Sequence, residues 1–146
     1  MTLLAKQRDL VAALAAIKDG QERFAWLIAK GKTQPPMPAS LKSDAHRVEG
    51  CLSKLWFVPE HREGRCYFQA DGDSLIAKAI AGLLCDFYSG SRPREILEID
   101  PSFLGHLGIS QHLTPNRRNS LSKVYERIHT FAADCQEVSL RELSLS

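Results

Sequence analysis

Two stretches of this chain read as β-strands, and helical periodicity or turn chemistry fills most of the rest. The strand-like runs are Leu55 to Pro59 and Arg65 to Ala70, rich in aromatic and β-branched residues and split by the polar segment Glu60 to Gly64. That pairing predicts an antiparallel hairpin, with Cys66 and Phe68 on one face and Tyr67 on the other. A third strand has room near Val48 to Trp56. So small a sheet must be covered by helices on one side, which makes the expected class α+β. At 146 residues the chain is long enough for one domain with its own core.

The helices follow from apolar spacing. Leu3, Leu10, Val11, Leu14 and Ile17 share a helical face, and Asp19-Gly20 ends that helix. A second helix is expected from about Gln21 to Lys30, with Phe24, Leu27 and Ile28 inward and Gly31 as its stop. Joined by a short turn, the two should pack as a hairpin. Pro35, Pro36 and Pro38 make the next segment an extended connector. Asp73 or Ser74 caps a helix from about Leu75 to Tyr88, whose apolar side is Ile76, Ala79, Ile80, Leu83, Leu84 and Phe87. Pro93 starts a short helix ending near Ile99, and Thr114-Pro115 opens a long one to about Ala133. Residues from about 136 to 146 read as a frayed tail.

Composition removes several functions. The net charge is +2, from 19 Lys+Arg against 17 Asp+Glu, too balanced for a nucleic-acid or membrane-surface binder. No segment reaches the roughly 18 apolar residues of a membrane span. The first residues lack the basic start and apolar run of a signal peptide, so the expected setting is the cytoplasm, where thiols stay reduced. Cys51, Cys66, Cys85 and Cys135 are too widely spaced for a CxxC redox or zinc half-site. Asp71 and Asp73 lack the further oxygen ligands of a calcium loop. Walker, G-x-G-x-x-G, H-E-x-x-H and G-x-S-x-G motifs are absent.

What chemistry remains centres on Val48-Glu49-Gly50-Cys51-Leu52-Ser53-Lys54-Leu55-Trp56. Gly50 frees the backbone for a tight turn, and the run beginning at Leu55 anchors the loop behind the thiol. A buried packing cysteine and a reactive one both fit this stretch. A thiol hydrolase would need a base from among His46, His61, His106, His112 and His129, none of which carries a local signature. An interaction module with an inert Cys51 is the other alternative. Arg117 and Arg118 in the first turn of the last helix oppose its dipole. They are either solvated there or retained to meet an anion.

Four blocks in series give the chain a resemblance to the SufE family of sulfur acceptors. They are the Cys51 block; Ala70-Asp71-Gly72-Asp73-Ser74 with Ile76-Ala77-Lys78; Gly90 with Pro93-Arg94-Glu95-Ile96; and Leu107-Gly108-Ile109-Ser110-Gln111-His112-Leu113-Thr114-Pro115-Asn116-Arg117. With the N-terminal helices they cover nearly the whole chain. The resemblance implies an α+β fold shared with IscU-type scaffolds. It implies that Cys51 accepts persulfide sulfur from a cysteine desulfurase, whose pyridoxal phosphate belongs to that enzyme, and hands it to a SufBCD-type scaffold. On this reading the chain is a substrate and activator, without a cofactor or metal of its own, and a homodimer is plausible. Gly50, Asp73, Lys78 and Arg117 are then the supporting and partner-binding positions. Asp71-Gly72-Asp73 replaces the family's Asp-Ser-Asp, Ala79 and Ser120 replace glycines, and Arg118 has no matching basic position. These departures bear on the partner surface. The neighbours Leu52 and Leu55 further suggest a loop that shelters Cys51 at rest and swings it out to a partner.

Overall fold

The computed structural model describes residues 2–145. Its order is α1 (Leu3–Ala15), α2 (Gly20–Lys32), two single 3-10 turns (Ala39–Leu41 and Asp44–His46), β1 (Leu55–Arg62) and β2 (Arg65–Gly72). After these come α3 (Leu75–Tyr88), α4 (Pro93–Glu98), α5 (Phe103–His106), a third 3-10 turn (Ser110–His112) and α6 (Pro115–Leu145). The class is α+β, as expected. Among the described residues the sheet has two strands, antiparallel, from Leu55 opposite Gly72 to Arg62 opposite Arg65. The segment with room for a third strand contributes one bridge, Arg47 with Trp56.

The hairpin is longer than its apolar pattern suggests. Glu63 and Gly64 both take positive φ, 51° and 78°, the conformation of a two-residue turn whose twist matches paired strands. Pairing therefore runs to the turn through polar residues that no hydrophobic alternation marks. Cys66 and Phe68 do share the buried face. Phe68 stacks on Phe57 at 5.7 Å and meets Phe131 of α6 edge-on at 5.9 Å.

The centre of the molecule is α3. Its residues Ala77, Ala79 to Cys85, Phe87 and Tyr88 are all buried, so it is apolar nearly all round and needs cover on several sides. That explains why α1 and α2 do not form the expected hairpin. Each packs instead on α3, leaving between them a cleft of about 300 Å³ floored by Leu83 and Phe87. Gly31 is not a stop. It lies inside α2, buried, with Ala79 of α3 so close that a Cβ on Gly31 would stand 2.4 Å from the Ala79 Cα. Lys6 of α1 crosses to the C-terminal end of α3 and donates to the carbonyls of Asp86, Phe87 and Ser89 at 2.8 to 3.0 Å. A cation suits that end of a helix.

The last helix is longer than expected, and Ser146, at the end of the expected tail, lies outside the described residues. Helix α6 continues to Leu145, well past Ala133, and Cys135 sits within it beside Cys66. Burial ends near Ala132. Beyond that point Val138, Leu140 and Leu143 are exposed, so no amphipathic pattern marks those helical turns.

Ser74 rather than Asp73 caps α3, accepting from the Ala77 N–H at 3.4 Å. The acid that holds this corner together is Asp71, 3% exposed. It accepts from the Met37 N–H at 3.0 Å and the Gly72 N–H at 2.8 Å, and pairs with Lys42 at 3.2 Å and Lys78 at 3.5 Å. Burial alone would raise its pKa. The two N–H donors and the two lysines outweigh that and hold the carboxyl below its ordinary range. Asp71 thus ties the proline connector to the base of the hairpin.

Replacing it by Ala strands the Met37 N–H and two partly covered ammonium groups, and should cost about 2–3 kcal/mol in urea unfolding at pH 7. Because the folded pKa is the lower one, this contribution is present at neutral pH. It fades as pH falls through and below about 4, so wild type and Asp71→Ala should converge in acid. Asp73→Ala, with its carboxylate exposed, should change stability by less than about 0.5 kcal/mol. Equal losses for both variants would refute the assignment.

Candidate functional site

The thiol of Cys51 stands on a loop closed at its base by β-type contacts. The Val48 N–H donates to the Leu55 carbonyl at 2.8 Å, and the Asp73 N–H donates to the Lys54 carbonyl at 3.0 Å. Asp73 therefore supports the loop through its main chain. Gly50 sits at φ +82°, a conformation that residues with a Cβ rarely adopt, and it turns the chain immediately before the cysteine.

Two side chains of the first turns of α6 pin the loop on either side of Cys51. Asn119 donates its amide to the Gly50 carbonyl at 2.9 Å, and Arg117 donates to the Ser53 hydroxyl at 3.0 Å. Further along the same helix, Arg127 donates to the Arg47 carbonyl at 3.4 Å and lies over the Phe57 ring. Lys123 covers Gly50. The placement of Arg117 against the helix dipole is thus explained by a hydroxyl on the loop. Arg118 instead turns back to the Leu113 carbonyl at 2.8 Å.

Cys51 is half-buried and packs against the edge of the core, while its neighbour Leu52 is 83% exposed. A polar cleft of about 350 Å³ opens at the thiol, lined by Asp44, Arg47, Val48, Glu49, Gly50 and Cys51. A second cleft of about 490 Å³ lies on the far side of the loop, between Leu52, Ile76, Phe24 and His112, with Arg117 on its rim. No histidine lines the cleft at the thiol. His46 holds the Leu41 carbonyl at 2.9 Å with its Nδ1, within its own turn.

The other cysteines are placed differently. Cys66 and Cys85 are fully buried, and burial pushes the Cys66 thiol up to about 12 and Cys85 upward as well. Cys135, hydrogen-bonded to Cys66, is also raised by burial. All three are held as thiols, the poorly nucleophilic form. Among the described residues no group of His, Cys, Asp and Glu is arranged to hold a metal ion, and no helix is long and apolar enough to cross a membrane.

Of the residues singled out in the sequence, Gly50, Cys51 and Arg117 meet at one place. Lys78 lies beneath, committed to Asp71, and Asp73 joins only by its backbone. Sequence reasoning missed Asp71, Asn119, Lys123 and Arg127. Asn119, Lys123 and Arg127 follow one another at helical steps of four, but no spacing rule reveals that the helix crosses the loop.

This is a domain that presents one thiol from a loop clamped by a helix, beside a cleft that no histidine lines. A family model described as "SufE: Fe-S metabolism associated domain" matches residues 8–132, and the chain belongs to the SufE family. It is 31% identical over 114 residues to an uncharacterized SufE-like protein of Synechocystis, covering 78% of this chain and 72% of the other. It is 31% identical over 140 residues to the cysteine desulfuration protein SufE of Plasmodium vivax, covering 92% of this chain and 56% of that protein. A solution structure of a hypothetical protein from Thermus thermophilus shares the fold, with TM-score 0.74 at 21% identity, over 90% of this chain and 96% of that one.

Proposed function

We propose that this protein is a sulfur carrier that accepts sulfane sulfur on Cys51 from a cysteine desulfurase, stimulates that enzyme, and passes the sulfur to a SufBCD-type scaffold. The observation that carries the reading is the loop itself: a half-buried thiol at a cleft that no histidine lines, clamped by α6 on both flanks. A hydrolytic cysteine needs a base beside it. A sulfur acceptor needs only thiolate character and a clear approach. Family membership supports the same role in Fe–S metabolism.

The transfer balances without an external oxidant. The Cys51 thiolate attacks the outer sulfur of the desulfurase persulfide, forming a sulfur–sulfur bond on Cys51. The enzyme's own sulfur–sulfur bond breaks, and its electron pair leaves on the enzyme's cysteine as thiolate. The outer sulfur keeps its proton through the step and loses it to solvent afterwards. Exposed Leu52, with Ile76 and Arg117 across the adjoining cleft, is the surface we assign to the desulfurase. In this reading the protein works in the cytoplasm and binds neither metal nor nucleotide by itself.

The test is intact-protein mass spectrometry after incubation with a cysteine desulfurase and free cysteine. The expected product carries the mass of one added sulfur atom, is reversed by a thiol reductant, and maps to the peptide containing Cys51. An adduct confined to Cys135, or none at all, would overturn the proposal.

A further inference from the structure

Resting on the carrier reading, we infer that Lys123 is the residue that holds the terminal sulfur of a Cys51 persulfide as an anion between loading and delivery. It is a positioning residue, acting on the carried sulfur through charge. The geometry begins at Gly50, whose φ of +82° turns its open side toward α6. A Cβ there would lie 3.3 Å from the Lys123 Cε and 4.0 Å from its Nζ. The stem of Lys123 is therefore laid over the glycine that precedes the acceptor cysteine, and its ammonium stands at the border of the loop. The contact exists because residue 50 lacks a side chain, which gives Gly50 a second role beside its turn.

The surrounding charges leave Lys123 available. From α6, Arg127 is occupied by the Arg47 carbonyl and the Phe57 ring, and Asn119 by the Gly50 carbonyl. From the loop, the cleft at the thiol presents Asp44, Arg47 and Glu49. Those two carboxylates disfavour a further anion and Arg47 offsets only one of them, so a second cation beside the loop favours a stored persulfide. Among the described residues Lys123 pairs with Glu126 at 3.5 Å, with both side chains well exposed. Such a pair is weak and readily exchanged. A persulfide ionises more easily than the thiol it grows from, and it reaches one sulfur atom beyond the Cys51 Sγ. An ammonium beside Gly50, one residue before the acceptor, lowers the persulfide's pKa and keeps it in the nucleophilic form needed for delivery.

The test loads the full chain with sodium polysulfide, which bypasses any desulfurase, and removes the excess reagent. Mass spectrometry localises the added sulfur, and the near-ultraviolet absorbance of the persulfide anion is titrated against pH. Lys123→Met should raise the ionisation midpoint of the Cys51 persulfide by roughly half to one pH unit, since the ammonium is partly solvated and screened. Lys123→Arg should bring it back to the wild-type value. Glu126→Gln should lower it slightly, by releasing the lysine. Equal midpoints in wild type and Lys123→Met, or no recovery with Lys123→Arg, would overturn the inference while leaving the carrier role standing. Failure of polysulfide to load Cys51 in any of the proteins would overturn both.

Discussion

Cys51→Ser is expected to abolish the sulfur adduct and to return desulfurase turnover to the rate of that enzyme alone. The substitution removes the one atom that attacks the persulfide and replaces it with a hydroxyl that is not ionised at neutral pH and forms no stable bond to sulfane sulfur. The fold should survive, because Cys51 is half-buried at the core's edge and serine is nearly the same size. A stability change of less than about 1 kcal/mol is expected, and urea unfolding separates lost chemistry from lost structure. Cys135→Ser on the same assays should keep the adduct and the stimulation. Two outcomes would sink the carrier role: stimulation undiminished in Cys51→Ser, or loss of the adduct in Cys135→Ser with Cys51 intact.

The second large effect is structural. Gly31→Ala should destabilise the protein by roughly 2–4 kcal/mol, against the helix propensity gain of about 1 kcal/mol that alanine brings to a helix interior. The sign is set by what the new methyl meets. It would stand 2.4 Å from the Ala79 Cα, 2.5 Å from the Ala79 Cβ and 2.8 Å from the Ala79 carbonyl oxygen. These are mostly backbone atoms that no rotamer change can clear, so α2 must lift from α3 and loosen the packing of Leu27. For a chain of this length the midpoint of thermal unfolding should fall by about 5–12 °C. Adding Ala79→Gly removes one clashing atom but not the nearer Cα, so it should restore less than half of the loss. A Gly31→Ala variant more stable than wild type would refute this account of the α2–α3 contact.

Particular residues show where sequence reasoning reached and where it stopped. The hairpin, α3, the proline start of α4 and the Thr114-Pro115 entry to α6 were legible, because apolar period and turn chemistry are local properties of the chain. So was the inward face shared by Cys66 and Phe68. Gly31 misled because glycine ends many helices, whereas here its missing side chain serves a neighbour that is 48 positions away in sequence. Residues 136–145 misled because a helix held on to a long, well-packed one needs no apolar face of its own. Asp73 drew attention as an acid before a helix, yet Asp71 is the buried one. Asp71 lies on β2 and Asp73 just past its end, and what separates the pair is the connector bringing Met37 and Lys42 over Asp71.

The same division runs through the site. By itself the sequence determined that a Gly50-Cys51 turn precedes a strand, that the other cysteines have no partner at metal or redox spacing, and that the chain resembles the SufE family. Those are statements about neighbours along the chain. Only the tertiary structure decided what holds and charges that turn, because α6 begins 64 residues after Cys51 and crosses the loop at an angle that packing on α3 and β1 sets. Asn119, Arg117 and Lys123 reach Gly50 and Ser53 through that crossing. A hydrogen bond of about 3 Å depends on where two elements come to rest, and that is fixed by the burial of the core beneath them.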